Sequence, residues 1–228
     1  MDWRLLTWNL FHGRAVPPAG RELLSEFTAA LGAWEWDAAL LQEVPPWWPA
    51  ELASALDADY RMVLTSRNAL LGVRRAIALR WPDLIKSNGG GCDAILVRGA
   101  AILEHRSERL ALRPERRMMH GVRLESGVWV VNLHATTRKG SKEAPQTRAE
   151  LRFAAGTGLA WAGGAPLVLG GDLNLPDPGE QTSLRHVAGH WVDHVYVSGF
   201  EPAGKAEVLE RGTLSDHEPV AVSLSRVA

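Results

Sequence analysis

Short apolar runs alternate along the chain with longer segments of helical periodicity. Leu5 to Leu10, Ala38 to Leu41, Arg61 to Leu64, Ala94 to Val97, Val128 to Leu133, Leu167 to Leu169, Val192 to Val197 and Val220 to Leu224 read as strands. Several are apolar at nearly every position, the pattern of strands covered on both faces. Between the first two, Leu23, Leu24, Phe27, Ala30, Leu31 and Trp34 fall on one helical face. A second helix is predicted over Pro46 to Leu56, with proline tolerated in its first turn. A third is predicted from Ala69 to Trp81, closed by Pro82, and a fourth over Ala144 to Trp161, ended at Gly163-Gly164. Ala101 to Leu112 and Met118 to Leu124, ahead of Gly127, read as successive antiparallel strands. Helix-linked strands combined with hairpins predict an α/β fold with mixed sheets. No linker or low-complexity tract divides the sequence, so one domain over residues 1–228 is expected.

The strands also finish alike. Asn9 and Glu43 close apolar runs 34 residues apart, and His134 and Asp172 close another two 38 residues apart. Each half thus offers strand, helix, strand with a polar group at each strand's C-terminal end. Two such layers packed together would bring all four ends to one rim, and strand-end loops are where α/β sheets place ligands.

Composition narrows the class. The chain has 228 residues, 46% hydrophobic and 22% charged, with a net charge of −1. That apolar content excludes a wholly disordered chain, and the near-neutral balance argues against coating nucleic acid through bulk charge. No run approaches the roughly 18 apolar residues of a membrane span, and the N-terminus lacks a secretory cleavage pattern. Cys92 is the single cysteine, so no intrachain disulfide forms and a reducing, cytoplasmic setting is expected. As a free cysteine it reads as a small core residue. Gly89-Gly90-Gly91 before it lacks the Lys-Ser or Lys-Thr ending of a P-loop.

A strand-end Asp or Asn is ordinarily a turn former. Here Asn9, Glu43, His134, Asp172, Asn174 and the Ser215-Asp216-His217 triplet recur at successive strand ends, all of metal-binding, acid/base or amide type. Thr-Trp-Asn-Leu at 7–10, Leu-Gln-Glu at 41–43, Asn-Leu-His at 132–134, Gly-Asp-Leu-Asn at 171–174, Val-Asp-His-Val at 192–195 and Ser-Asp-His at 215–217 together resemble the ordered motifs of the endonuclease/exonuclease/phosphatase superfamily. The resemblance runs from residue 7 to residue 224. It implies a four-layer α/β sandwich, two mixed β-sheets face to face flanked by helices, and a metal-dependent phosphoester hydrolase.

By that resemblance Glu43, Asn9 and Asp216 are the metal residues, Asn9 adding an amide oxygen to the metal or orienting Glu43 and Asp216 binding it or supporting the ligands, a hard-oxygen set suited to Mg²⁺ with Mn²⁺ as substitute. Asp172 resembles the group that orients or deprotonates the attacking water, and Asn174 a holder of that water or of a phosphoryl oxygen. His217 resembles the phosphate-contacting histidine with Asp193 as its carboxylate partner, and His134 a second histidine that donates to a phosphate oxygen or the leaving group. Whether Asp172 or the His217–Asp193 pair takes the proton stays open at this level. His12 is a lesser candidate for lining the site. His186, His190 and His194 share a spacing of four, but Gly189 and the strand that follows break any helix, which argues against zinc.

The substrate is less constrained. Arg138, Lys139, Lys142, Arg148 and Arg152 would suit a polyanion or equally a solvated loop and helix face, and Arg113, Arg116 and Arg117 share that ambiguity. Gln42 to Trp48 resembles the corresponding stretch of tyrosyl-DNA phosphodiesterase members, where Trp47 and Trp48 would stack a base or simply pack the next helix. A phosphoester of nucleic acid, DNA or RNA, or of a nucleotide-like ester is the leading expectation. A small or lipid-derived phosphoester is the alternative, and an inactive scaffold is disfavoured by the complete residue set. No obligate protein partner is evident.

Overall fold

The computed structural model describes residues 3–66, 68–84, 91–113, 115–136, 145–179 and 182–227. Thirteen strands and four α-helices are described. The strands are β1 (Trp3–Asn9), β2 (Ala38–Val44), β3 (Ala58–Leu64), β4 (Cys92–Arg98), β5 (Ile102–Ala111), β6 (Arg117–Leu124), β7 (Trp129–His134), β8 (Leu167–Asp172), β9 (Arg185–His190), β10 (Asp193–Ser198), β11 (Phe200–Pro202), β12 (Glu207–Val208) and β13 (Val220–Arg226). The helices are α1 (Leu24–Ala33), α2 (Trp48–Ala55), α3 (Leu71–Arg80) and α4 (Pro145–Ala162). All four predicted helices are present. α2 starts two residues later than expected, with Pro49 rather than Pro46 in its first turn.

One sheet has the order β11-β13-β1-β2-β4-β3, with β12 beside β13; the other runs β5-β6-β7-β8-β10-β9. In each, the strand–helix–strand units are the parallel pairs, β1 with β2 and β7 with β8, among antiparallel neighbours. Alternation of side chains across each strand then makes three apolar layers. Leu5, Leu40, Ile95, Val130, Val168, Val195 and Val222 fill the space between the sheets. Leu6, Trp8 and Leu41 face α1 and α2 through Phe27, Leu31, Trp48 and Leu52. Val131, Leu133 and Leu169 face α4 through Leu151 and Ala154. The result is the expected four-layer sandwich. Full burial on both faces explains why the central strands read as continuous apolar runs.

β9, β11 and β12 were not expected. They are short or polar edge strands: β9 reads Arg-His-Val-Ala-Gly-His, with no apolar run to mark it. No helix among the described residues is long and apolar enough to cross a membrane.

Candidate active site

The sheet registers put the strand-end residues side by side. Asn9 pairs with Gln42 across β1 and β2. His134 pairs with Asp172 across β7 and β8, and Asp193 pairs with Asp172 from the other side. The two sheets are pinned beneath this rim by buried amides. Gln42 Nε2 donates to Asn132 Oδ1 at 2.8 Å, and Asn132 Nδ2 donates to the Leu41 and Ala94 carbonyls.

Local backbone irregularities aim the side chains. The β2–β4 register shifts between Leu41 and Val44, a bulge that turns Glu43 toward the rim, and Glu43 itself takes φ 51°. Asn174 and Ser215 also have left-handed φ, 50° and 61°. For non-glycine residues such conformations cost on the order of 1 kcal/mol each. They are held by local bonds: Asn174 N–H donates to Asp172 Oδ1, and Ser215 Oγ donates to the Asn9 carbonyl while accepting from His217 N–H.

Asp172 is the hub. Its Oδ2 lies 2.9 Å from Asn9 Nδ2, 3.3 Å from His134 Nε2 and 3.9 Å from His217 Nε2. Asn9 Oδ1 accepts from the Phe11 N–H, which fixes its amide so that the nitrogen faces Asp172. His217 Nδ1 donates to Asp193 Oδ2 at 2.7 Å, and the Trp191 ring rests 5.4 Å from the imidazole. Glu43 Oε2 meets His12 Nε2 at 2.9 Å, and its Oε1 lies 3.8 Å from His134. Asp216 stands at the mouth, half exposed, 4.0 Å from His217 Nε2. All eight predicted site residues therefore meet at one rim, and His12 joins them.

Electrostatics assign protonation states. Burial opposes a charge on His217, but Asp193, Asp172 and Asp216 around it prevail and raise its pKa, while burial raises Asp193 to about 7 against the bond from His217, so the two share one proton held between them. Burial, then the Arg117 guanidinium, lowers His134 to about 4. Arg117 Nη1 donates to His134 Nδ1 at 2.9 Å, so the neutral ring keeps its proton on Nε2, facing Asp172. Burial resists ionisation of Glu43, but His12, His134 and Arg117 hold it well below the ordinary carboxylate range. Burial raises Asp216, with Glu43 and Asp172 adding to the effect against His217. That crowding of carboxylates is what a cation would relieve. Asp172, Asp193 and His217 also form a set whose ligand atoms all lie within 4.8 Å of one another, a possible metal site.

Two groups were missed or undervalued at sequence level. Arg117 is buried and holds His134, whereas Arg116 spends its guanidinium on the Leu64 and Thr65 carbonyls. Asp93 on β4 lies fully buried below Glu43, and burial pushes its carboxyl up to about 8 against the Arg117 charge. Neither of its oxygens makes a side-chain hydrogen bond among the described residues, which suits a protonated acid. Only its place beside Cys92, in a run that reads as core, was visible in the sequence. Cys92 is buried and its thiol is pushed up by that burial. Trp48 is buried against Phe27, which makes it a packing residue. His186 and His194 bond to each other at 3.1 Å and belong to no three-ligand metal group among the described residues. Arg138, Lys139, Lys142, Gly89 and Gly90 lie outside the described residues.

The sequence matches the profile of the Endonuclease/Exonuclease/phosphatase family over residues 6–217. The chain belongs to that family. Its members hydrolyse phosphoester bonds with a divalent metal, and this chain is such an enzyme. Similar solved structures include a family protein from Bacteroides thetaiotaomicron, with 17% identity, TM-score 0.71, and 98% of this chain and 97% of that chain covered. Truncated TDP2 from Caenorhabditis elegans has 18% identity, TM-score 0.69, and 98% of each chain covered. A mannosyl-6-phosphatase from Bacteroides thetaiotaomicron has 16% identity, TM-score 0.69, and 98% of this chain and 99% of that chain covered. At these identities the likeness is one of fold. No curated relative matches the sequence at a significant level.

The buried groups of this family site also set a pH optimum for stability of the metal-free protein. His120 and His134, lowered to about 3 and about 4 first by burial, stay neutral in the fold. The unfolded chain protonates both below about 6.5, so their contribution is complete above that pH and is lost as pH falls toward 4. Asp93, raised to about 8, acts oppositely: its contribution is complete at acid pH and is lost as pH rises through 8. The raised His217 acts in the same direction above about 6.5. Asp193, raised to about 7 by burial, acts with Asp93, but His105, His186 and His194 are lowered by burial as well and outweigh the two acids below pH 6.5, so stability should peak near pH 6.5 and fall on both sides. Urea denaturation at pH 5, 6.5 and 8 measures this; stability still rising from pH 6.5 to 8 contradicts the assignments.

Proposed function

We propose that this chain is a Mg²⁺-dependent phosphodiesterase, with Mn²⁺ as a substitute, that hydrolyses its ester by in-line attack of water. The observation that carries this reading is the placing of Asp172 Oδ2 within 2.9 to 3.9 Å of Asn9, His134 and His217. Glu43 and Asp216 would supply carboxylates to hold the cation, which would neutralise charge on the phosphoryl and leaving oxygens, while Asn9, its oxygen taken by the Phe11 N–H, steadies Asp172 through Nδ2. His217, with its Nδ1 proton held by Asp193 and its pKa raised by the surrounding carboxylates, is placed as a donor. It donates from Nε2 to a phosphoryl oxygen, and Asp172 orients the water and accepts its proton. His134 Nε2–H is a second fixed donor for the developing charge, and Asn174 steadies the water or a phosphoryl oxygen. The water oxygen bonds to phosphorus as the bond to the leaving oxygen breaks.

Nucleic acid or a nucleotide-like ester remains the first substrate reading, supported by the resemblance at Gln42 to Trp48. One observation favours the second, a small or lipid-derived phosphoester. Burial of Trp48 removes one expected base-stacking face. The single buried cysteine supports a cytoplasmic setting. Hydrolysis of bis-p-nitrophenyl phosphate with Mg²⁺, Mn²⁺ or EDTA tests the core of the proposal. Turnover should vanish in EDTA, and Glu43→Gln should raise the Mg²⁺ needed for half-maximal rate by about ten-fold or more. EDTA-insensitive turnover would sink the metal-dependent reading. Cleavage of labelled DNA and RNA that falls steeply with salt selects the polymer; preference for a lipid headgroup ester selects the second reading.

A further inference from the structure

β9 and β10 are joined by Trp191 and Val192, inside the His190–Asp193 pair that closes the hairpin. Trp191 takes φ 52° at this corner. Glycine, asparagine or aspartate is the usual occupant of such a turn position, and a bulky side chain with left-handed φ is an outlier. Val192 is buried, but Trp191 remains 58% exposed, so packing does not account for the choice of residue. Its ring rests against the His217 imidazole, with centroids 5.4 Å apart and planes at 44°. A strained aromatic in contact with a catalytic histidine is an outlier that points to function.

The turn is held in register with the site. Leu173 N–H donates to the Val192 carbonyl at 2.9 Å, which ties the corner to the chain between Asp172 and Asn174. His190 Nε2 meets Glu218 Oε2 at 2.9 Å, one residue beyond His217. Asp193, two residues after Trp191, accepts from His217 Nδ1 at 2.7 Å. Trp191 and His217 are therefore set as one unit. A phosphoester that takes the His217 Nε2 proton on a phosphoryl oxygen brings its nearest substituent beside the indole. The charged groups at this side of the mouth are Asp216 and the His190–Glu218 pair. Acids there oppose a second anionic group, so the substituent that fits is uncharged and planar. The other aromatic candidate, Trp48, is buried against Phe27.

We propose that Trp191 is a specificity-determining residue, a stacking platform for the nucleobase nearest the phosphorus that His217 contacts. The proposal rests on the phosphoesterase reading and narrows it to esters of nucleosides or of nucleic acid. Stacking on an aromatic side chain accepts any base, because each has a π-face, and removing such a platform costs roughly five- to 150-fold in affinity. An alkyl substituent gains only the apolar contact, without the planar fit. Binding of a nucleotide can be measured without turnover.

The test is calorimetric binding, in Mg²⁺, of thymidine 5′-monophosphate, deoxyribose 5-phosphate and butyl phosphate, which share the phosphate and differ in what it carries. The full chain should bind the nucleotide about ten-fold more tightly than either of the others. Trp191→Asn, a residue the left-handed corner accepts, should stay folded and lose about ten-fold or more on the nucleotide alone. Trp191→Phe should keep most of the preference, and Trp191→Leu, apolar but not planar, should lose it. Equal loss on all three ligands makes Trp191 a mere support for His217 and overturns the proposal. So does a wild type with no preference for the nucleotide, or a leucine variant that retains the preference. Base-selective binding in a protein that hydrolyses no phosphoester sinks the phosphoesterase reading and leaves the platform standing. Hydrolysis without base selectivity does the reverse.

Discussion

Asp172→Asn should leave the protein folded and lower kcat on bis-p-nitrophenyl phosphate by about 10³- to 10⁴-fold, the scale for removing a positioned base. The substitution is nearly isosteric. An asparagine keeps an oxygen to accept the Asn174 N–H, now bonded to Asp172 Oδ1. What it loses is the charge and basicity of Oδ2, the atom that Asn9, His134 and His217 all approach. A thermal melt alongside the kinetics separates chemistry from folding. His217→Ala should be damaging too, and the double variant should be little worse than the weaker single, because groups acting on one transition state are not additive. A folded Asp172→Asn enzyme within ten-fold of wild type would remove the water-handling role and hand the proton to the Asp193–His217 unit.

The central strands and the ring of strand-end residues were legible because each depends on local pattern. A strand buried on both faces must be apolar throughout, and the polar residue ending it is conspicuous for that reason. Asn9, Glu43, His134 and Asp172 announce themselves this way. Arg117 does not: it opens a strand within a cluster of arginines, and nothing in the sequence distinguishes it from Arg116, which braces a neighbouring loop. Asp93 was hidden by the opposite problem, an acid beneath the surface of an apolar run. The Gln42–Asn132 clamp depends on a contact between sheets, 90 residues apart in sequence. Edge strands β9, β11 and β12 lack a second covered face and so lack the apolar signature.

The outward face of α3 illustrates a different limit. Its range was legible from the Pro82 that closes it, but a helix boundary does not say which side is covered. Val73 and Leu79 would be core residues on an ordinary helix packed against a sheet. They are exposed because α3 is carried on the loop between β3 and β4, outside the four layers.

Gly171→Ala should cost about 4 kcal/mol or more, which few single substitutions reach and which requires a collision or a strained backbone. Both conditions hold at Gly171. Its φ is 140°, and a Cβ there would sit 2.0 Å from the Leu133 carbonyl oxygen and 3.1 Å from Asn132 Oδ1. The obstacle is backbone of the adjacent parallel strand, so no side-chain rotation relieves it. Gly99→Ala is the control, with φ +65° and open space around the would-be Cβ. It should lose only about 1 kcal/mol, the conformational part alone. Urea midpoints at constant m-value measure both. If the two variants lose the same, β7 and β8 do not approach this closely, and the adjacency of Asp172 to His134 fails with it. The large difference expected here explains why glycine precedes the aspartate: only a residue without a side chain lets β8 lie close enough to β7 for Asp172 to reach the centre of the site.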